Sequence, residues 1–294
     1  ILNLLIFSCN SDSDDNSSEV WEQKSEMLTN WADNFIIPSY TTLTNNLVLL
    51  EESGNTFASS RNQQNLENLR NSFINAYLSW QYVEMFDIGL AEETYYKSKM
   101  NIYPTTVSRI ELNIQNGNTD FNNSNNYAAQ GFPALDYLLY GIENSDELIL
   151  SKFNNEPQYL IYLSNVINQM LQNTYPIVED WQNYRNPFIG SVRNTATSSV
   201  NKMTNDFIYY YEKGFRANKF GIPAGVFSGG ALPEKVEAFY NQNISKALAL
   251  EGFQAIKNFY NGNGGVSLRQ YISEVSTEEY SELSTDILDQ FNIA

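Results

Sequence analysis

Apolar residues spaced at helical intervals constrain this chain more than any other feature. Leu66, Leu69, Phe73, Tyr77, Trp80 and Val83 fall at i, i+3, i+4 and i+7, a stripe that only an α-helix gathers onto one face. The same period recurs from Val20 to Leu50, through Trp21, Met27, Leu28, Trp31, Phe35, Leu43, Leu47 and Leu50, with a kink expected at Pro38. Tyr159, Leu163, Val166, Ile167, Met170 and Leu171 mark a further helix, expected to end near Pro176 or Trp181. Residues 195–219 read as one long helix with Gly214 close to its end, and residues 245–260 as the next, closed by Gly262, Gly264 and Gly265. Ser276 with Glu279 has the spacing of a capping box for a last helix through Leu283, Ile287 and Phe291. No stretch alternates apolar and polar residues between hairpin turns, so the expectation is all-α, in two packed helical-bundle halves: 20–141 and 142–294.

Two segments depart from the period. Residues 117–126, rich in Asn, Ser and Gly, read as an exposed loop without chemistry. Residues 220–233 are rich in Gly but apolar, which points to a loop packed between helices. It is no phosphate loop, because no Gly-Lys-Ser/Thr ends it, and Val226 denies Ser228 a nucleophile elbow.

Composition narrows the chemistry. The chain of 294 residues has 34 Asp plus Glu against 17 Lys plus Arg, a formal charge of −17, so it repels nucleic-acid backbones. It contains no histidine, which removes imidazole general bases, Ser-His and Cys-His nucleophiles and every His-bearing metal site. One cysteine, Cys9, leaves no internal disulfide.

Cys9 follows the apolar run Ile1–Ser8, which is too short to span a bilayer and resembles the end of a bacterial lipoprotein signal peptide. Residues 1–8 are therefore expected to be targeting sequence, with Cys9 as the lipidated residue that holds the protein at the membrane. Residues 9–19 are acidic and polar throughout and read as a solvated tether. Asp12, Asp14 and Asn16 have the spacing that opens an EF-hand loop, but Ser17 stands where the turn needs Gly, which argues against calcium. The acidic tail resembles the export signals of surface lipoproteins in Bacteroidetes-type bacteria.

Three further segments carry a family resemblance. They are Ala76-Tyr77-Leu78-Ser79-Trp80-Gln81 with Glu84, the run from Gly131 to Gly141, and Gly221 to Gly230 followed by Leu232, Pro233, Lys235, Val236 and Glu237. Their content and order resemble the imelysin-like family, also called the imelysin peptidase family, over roughly residues 20–292. The resemblance implies two packed helical bundles, a bacterial envelope location, an association with iron uptake, and a Gly-x-His-x-x-Glu pattern between the bundles. Here Gly131 matches the Gly, but Pro133 stands at the His and Asp136 at the Glu. Pro133 offers no ligand atom; it suits the first turn of a helix, with Asp136 near the positive end of that helix's dipole.

The expected candidate site is a cleft between the halves lined by Glu84, Arg109, Glu111, Asp136, Arg216 and Lys219, as an ion-pair network that binds a ligand or fixes the packing. No catalytic residue and no metal ligand is expected, and iron enters only through the resemblance. The expected role is a lipid-anchored envelope protein of the outer membrane, a binding or accessory component in iron-related uptake, with outer-membrane transport proteins as partners. The rival readings are a metallopeptidase, whose ligands would have to be carboxylates and carbonyls, and a structural partner-binding module.

Overall fold

The computed structural model describes residues 14–293; Cys9 and residues 1–8, the expected targeting segment, lie outside the described residues. Among the described residues every regular element is helical. Helix α1 (Asp14–Asn30) runs through a π-helical turn, Trp31–Ile36, into α2 (Ile37–Ser59), and α3 (Gln63–Trp80) folds back along it. Short helices α4 (Leu90–Glu93), α5 (Tyr96–Met100) and α6 (Val107–Asn116) lead to α7 (Gly131–Asp136), which continues as π-helix over Tyr137–Gly141. Then come α8 (Asp146–Asn155), the long α9 (Pro157–Ile189), and α10 (Ser199–Tyr209), whose last turns are π-helical over Tyr210–Gly221. An irregular strap, residues 222–241, crosses to α11 (Gln242–Asn261), and α12 (Leu268–Val275) and α13 (Leu283–Ile293) close the chain.

The stripes read from the sequence are the core. Leu66, Leu69, Phe73, Tyr77 and Trp80 of α3 are buried with Leu43, Leu47 and Leu50 of α2 and Leu163, Val166 and Met170 of α9. Phe132 stacks on Tyr77 at 4.5 Å and lies 5.9 Å from Trp80, so α7 enters the middle of this core. Gly131 permits that entry. Its φ is +71°, and a Cβ would lie 2.1 Å from the Met100 carbonyl oxygen. Arg70 then fixes the following π-helical turn, donating to the Leu139 carbonyl (2.7 Å) and to Asp146 (2.8 Å).

Several boundaries differ from expectation, each for a local reason. Asp14 to Glu19 fall within helix α1, which begins ahead of the boundary expected at Val20. Pro38 sits in the first turn of α2, and the irregularity is the π-turn just before it. Trp80 ends α3, leaving Val83 buried in the next turn. Helix α9 continues through Pro176 and Pro187, because Ile177, Trp181 and Phe188 still face the core and their burial outweighs the proline cost of ~3 kcal/mol. Helix α10 starts only at Ser199, where the Ser198 hydroxyl accepts from the Asn201 N–H. The capping box is Ser267 with Gln270, at the start of α12, while Ser276 ends that helix.

The two loops also reverse. Within 117–126, Phe121 and Asn126 are buried, Asn126 accepting from Asn113 and donating to the Asp120 carbonyl. The apolar loop 220–233 instead lies at the surface, with Val226 68% and Phe227 64% exposed. Its own turns satisfy its backbone, among them Val226 N–H to Gly221 (2.9 Å) and Leu232 N–H to Pro223 (2.8 Å), so it needs no covering helix.

Candidate functional site

Four irregular places in the helical frame meet at one point. They are the turn after α3, the end of α5, the π-helical end of α10 and the strap. A widened helical turn presents residues that a regular helix would hide, and π-helical segments often occur at such sites.

The centre is Lys219. Its ammonium donates to Glu237 Oε2 at 2.5 Å and to Gln81 Oε1 at 2.7 Å, and lies 3.5 Å from Glu84 Oε2. Asn101 Nδ2 donates to Glu237 Oε1 (2.8 Å) and Glu84 Oε1 (3.2 Å), Gln81 Nε2 to Glu237 Oε1 (3.2 Å), and the Tyr77 hydroxyl to Asn101 Oδ1 (2.8 Å). All six side chains are buried. Burial opposes the charge on Lys219, but Glu237 and then Glu84 outweigh it, so its pKa stands above the ordinary lysine value. Burial, followed by Glu237 and Asp136 at Tyr77 and by Glu237 and Glu84 at Tyr103 and Tyr210, pushes these hydroxyls well above the usual range and keeps them neutral.

The network is incompletely satisfied. Glu84 Oε2 has only the long ion pair, and the buried hydroxyls of Tyr103 and Tyr210 have no hydrogen-bond partner among the described residues. Gly252 of α11 packs directly on the network, since a Cβ there would stand 3.2 Å from the Tyr210 hydroxyl and 3.3 Å from Gln81 Oε1. Such unpaired buried polar atoms suit a small hydrogen-bonding guest or ordered water.

Asp136 holds the strap. Its two oxygens accept from the backbone N–H groups of Tyr240 (2.8 Å) and Asn241 (2.9 Å), directly ahead of α11. The expected role at its own helix is thus corrected. Asp136 is the last residue of α7 and serves the N-terminus of α11, whose Asn241 offers no side-chain cap. Burial raises the Asp136 pKa to about 7 although both N–H bonds lower it; Glu237 adds a smaller rise. Beside it a cavity of about 250 Å³ is lined by Pro133, Asp136, Tyr103, Lys235 and Tyr240.

Of the expected residues, Glu84 and Lys219 are in the network, and Asp136 and Pro133 line the neighbouring cavity. The other three do not join them. Glu111 accepts from the hydroxyls of Tyr137 and Tyr159 in a separate cluster. Arg109 is half-buried and enters no ion pair among the described residues, and exposed Arg216 pairs with Glu212 one turn away. Sequence reasoning missed Glu237, Gln81 and Asn101. Glu237 and Gln81 lay within the segments that carried the resemblance, whereas Asn101 had no signal.

The donor set does not fit a transition metal at the family's motif position. Pro133 has no ligand atom, both Asp136 oxygens are engaged by backbone, and an ammonium already stands between Glu84 and Glu237. Among the described residues no group of three or more Asp, Glu or Cys side chains is arranged to hold a metal ion. Nor is any helix there long and apolar enough to cross a membrane.

Comparison with known proteins agrees with this architecture. The sequence model of the imelysin family matches residues 36–294. A crystal structure from Parabacteroides distasonis ATCC 8503, described as an iron-regulated protein A precursor, aligns at a TM-score of 0.74 with 16% identity over 92% of this chain and 83% of that one. An imelysin-like protein from Psychrobacter arcticum 273-4 aligns at 0.70 with 17% identity over 93% and 83%. No curated protein matches the chain. At such identities the likeness speaks for the fold.

Proposed function

Because the chain belongs to the imelysin family, we propose that it is an envelope protein of iron-related uptake that acts by binding rather than by hydrolysis. The iron connection is supported by the family and by the iron-regulated description of one structural relative. The observation that carries the binding reading is the buried, incompletely satisfied network, where the Lys219 ammonium supplies the positive charge between Glu84 and Glu237. Peptide hydrolysis in a metallopeptidase needs a metal-held water and a base. Pro133 supplies no ligand atom, and each Asp136 oxygen is already held by a backbone N–H of the strap. The buried network and the 250 Å³ cavity both involve the strap, through Glu237 and through Tyr240, and this suits recognition of a small polar ligand or of a partner that moves the strap.

The lipid anchor at Cys9 is part of the proposal and rests on the sequence. Expressed with a complete signal peptide, the protein should fractionate with membranes and Cys9→Ala should not; equal fractionation would remove the anchor. The functional test is growth of the source bacterium under iron limitation after deletion of the gene. The proposal expects a defect that wild type rescues and that Lys219→Met, compared at an equal level of folded protein, does not. Unimpaired growth, or peptide hydrolysis abolished by chelator, would overturn it.

A further inference from the structure

A groove of about 570 Å³ runs between the π-helical end of α10 and α11, a volume in the range of small-molecule sites, ~300–1,000 Å³. Its floor is aromatic and already assembled. Phe215 stacks on Phe253 at 5.7 Å and meets Phe220 edge-on at 5.3 Å. The mouth is apolar and open, with Leu250 58% and Phe220 49% exposed. Lone exposed apolar residues need no explanation, but an aromatic floor joined to an apolar mouth in one concave site does.

The lining carries one uncompensated charge, and it is a cation in a strongly acidic chain. The chain has twice as many acids as bases, yet Arg216, Lys219 and Lys246 line the groove against a single acid, Glu237. Glu237 is held by Lys219. Arg216 shares Glu212 through Nε and Nη2, while Lys246, exposed at the rim, has no carboxylate partner among the described residues.

We propose that this groove binds a free amphipathic organic anion, with its alkyl or aromatic body over Phe215, Phe253 and Leu250 and its anionic head at Lys246 and Arg216. Burial of the apolar body supplies affinity, and the basic rim selects the sign of the head. The inference does not rest on the iron reading.

The test is a titration of the full chain with 1-anilinonaphthalene-8-sulfonate, with dodecanoate and dodecyltrimethylammonium as chain-matched competitors. The expected result is one saturable site per chain, emptied by dodecanoate and not by the cationic amphiphile at equal concentration. The net charge of −17 would favour the reverse. Leu250→Glu should weaken binding about tenfold or more. Lys246→Glu should weaken the anions about fivefold and improve the cation. Both positions are exposed, so circular dichroism should match wild type. Equal competition by the two amphiphiles, a wild-type titration by either variant, or no saturable binding would overturn the proposal. So would capture by anionic phospholipid vesicles without displacement by dodecanoate.

Discussion

Lys219 and Glu237 bring opposite charges to 2.5 Å with only 2% of either side chain exposed. One lies in the last turn of a π-helical segment and the other in an irregular strap, so the pair fastens the strap to the helical frame. Taking two charges out of water costs several kcal/mol each, and the pair persists because Gln81, Asn101 and Glu84 complete its hydrogen bonding.

Removing the ammonium should therefore be severe. Lys219→Met leaves Glu237 and Glu84 facing each other in a buried site and is expected to cost about 3–5 kcal/mol. Urea unfolding at pH 7 measures it, and adding Glu237→Gln should restore part of the loss. A cost under about 1 kcal/mol would mean that the pair is not formed in solution.

Stability should fall as pH rises from about 4 to 7. Burial, then Asp87 and Glu92, raises the Asp206 pKa from 3.8 to about 7. An acid whose folded pKa lies above its unfolded value contributes stability in full below the unfolded value and loses it as pH climbs through the folded one. Asp136 acts in the same direction. Asp206→Asn should flatten the slope and gain roughly 1–2 kcal/mol at pH 8, discounted for the solvent that reaches the group. Urea midpoints at pH 5 and pH 8 decide it, and an unchanged slope would count against this assignment.

Gly131→Ala should destabilise by about 3 kcal/mol or more. A positive φ and a carbonyl 2.1 Å from the new Cβ leave no rotamer to relieve the clash, so α7 must move away from α5. Thermal unfolding measures the effect, and a wild-type midpoint would show that α7 does not enter the core as described.

Asp136→Ala should loosen the strap and spare the frame. Without their acceptor, the amides of Tyr240 and Asn241 should exchange about tenfold faster or more, while amides of mid-α9 keep their protection. Uniform loss of protection would mean that Asp136 supports the whole fold.

The helical stripes were legible because a 3.6-residue period needs only local sequence, and Leu66, Phe73 and Tyr77 all face the core as that period demands. Helix ends were not, because tertiary burial carried α9 past two prolines and widened α10 into a π-helix. Glu84 and Lys219 were accessible as charges beside motif segments. Gln81 and Asn101 were not, since a neutral amide shows its importance only once burial makes its hydrogen bonds obligatory. Glu237 was readable in principle: it is an acid between the apolar Val236 and Ala238, in the same resembling segment as the Gly-rich loop. The loop 220–233 misled because apolar composition suggested cover, whereas Phe220 helps form the mouth of an open groove.

The central claim is that this site works with the chain's own ammonium and does not hold a metal at the motif position. Calorimetric titration of the purified chain with ferrous, ferric, manganous and zinc ions, beside Asp136→Ala, tests it most directly. No stoichiometric binding at micromolar protein is the predicted result, for wild type and variant alike. Binding of one ion per chain that disappears in Asp136→Ala would contradict it.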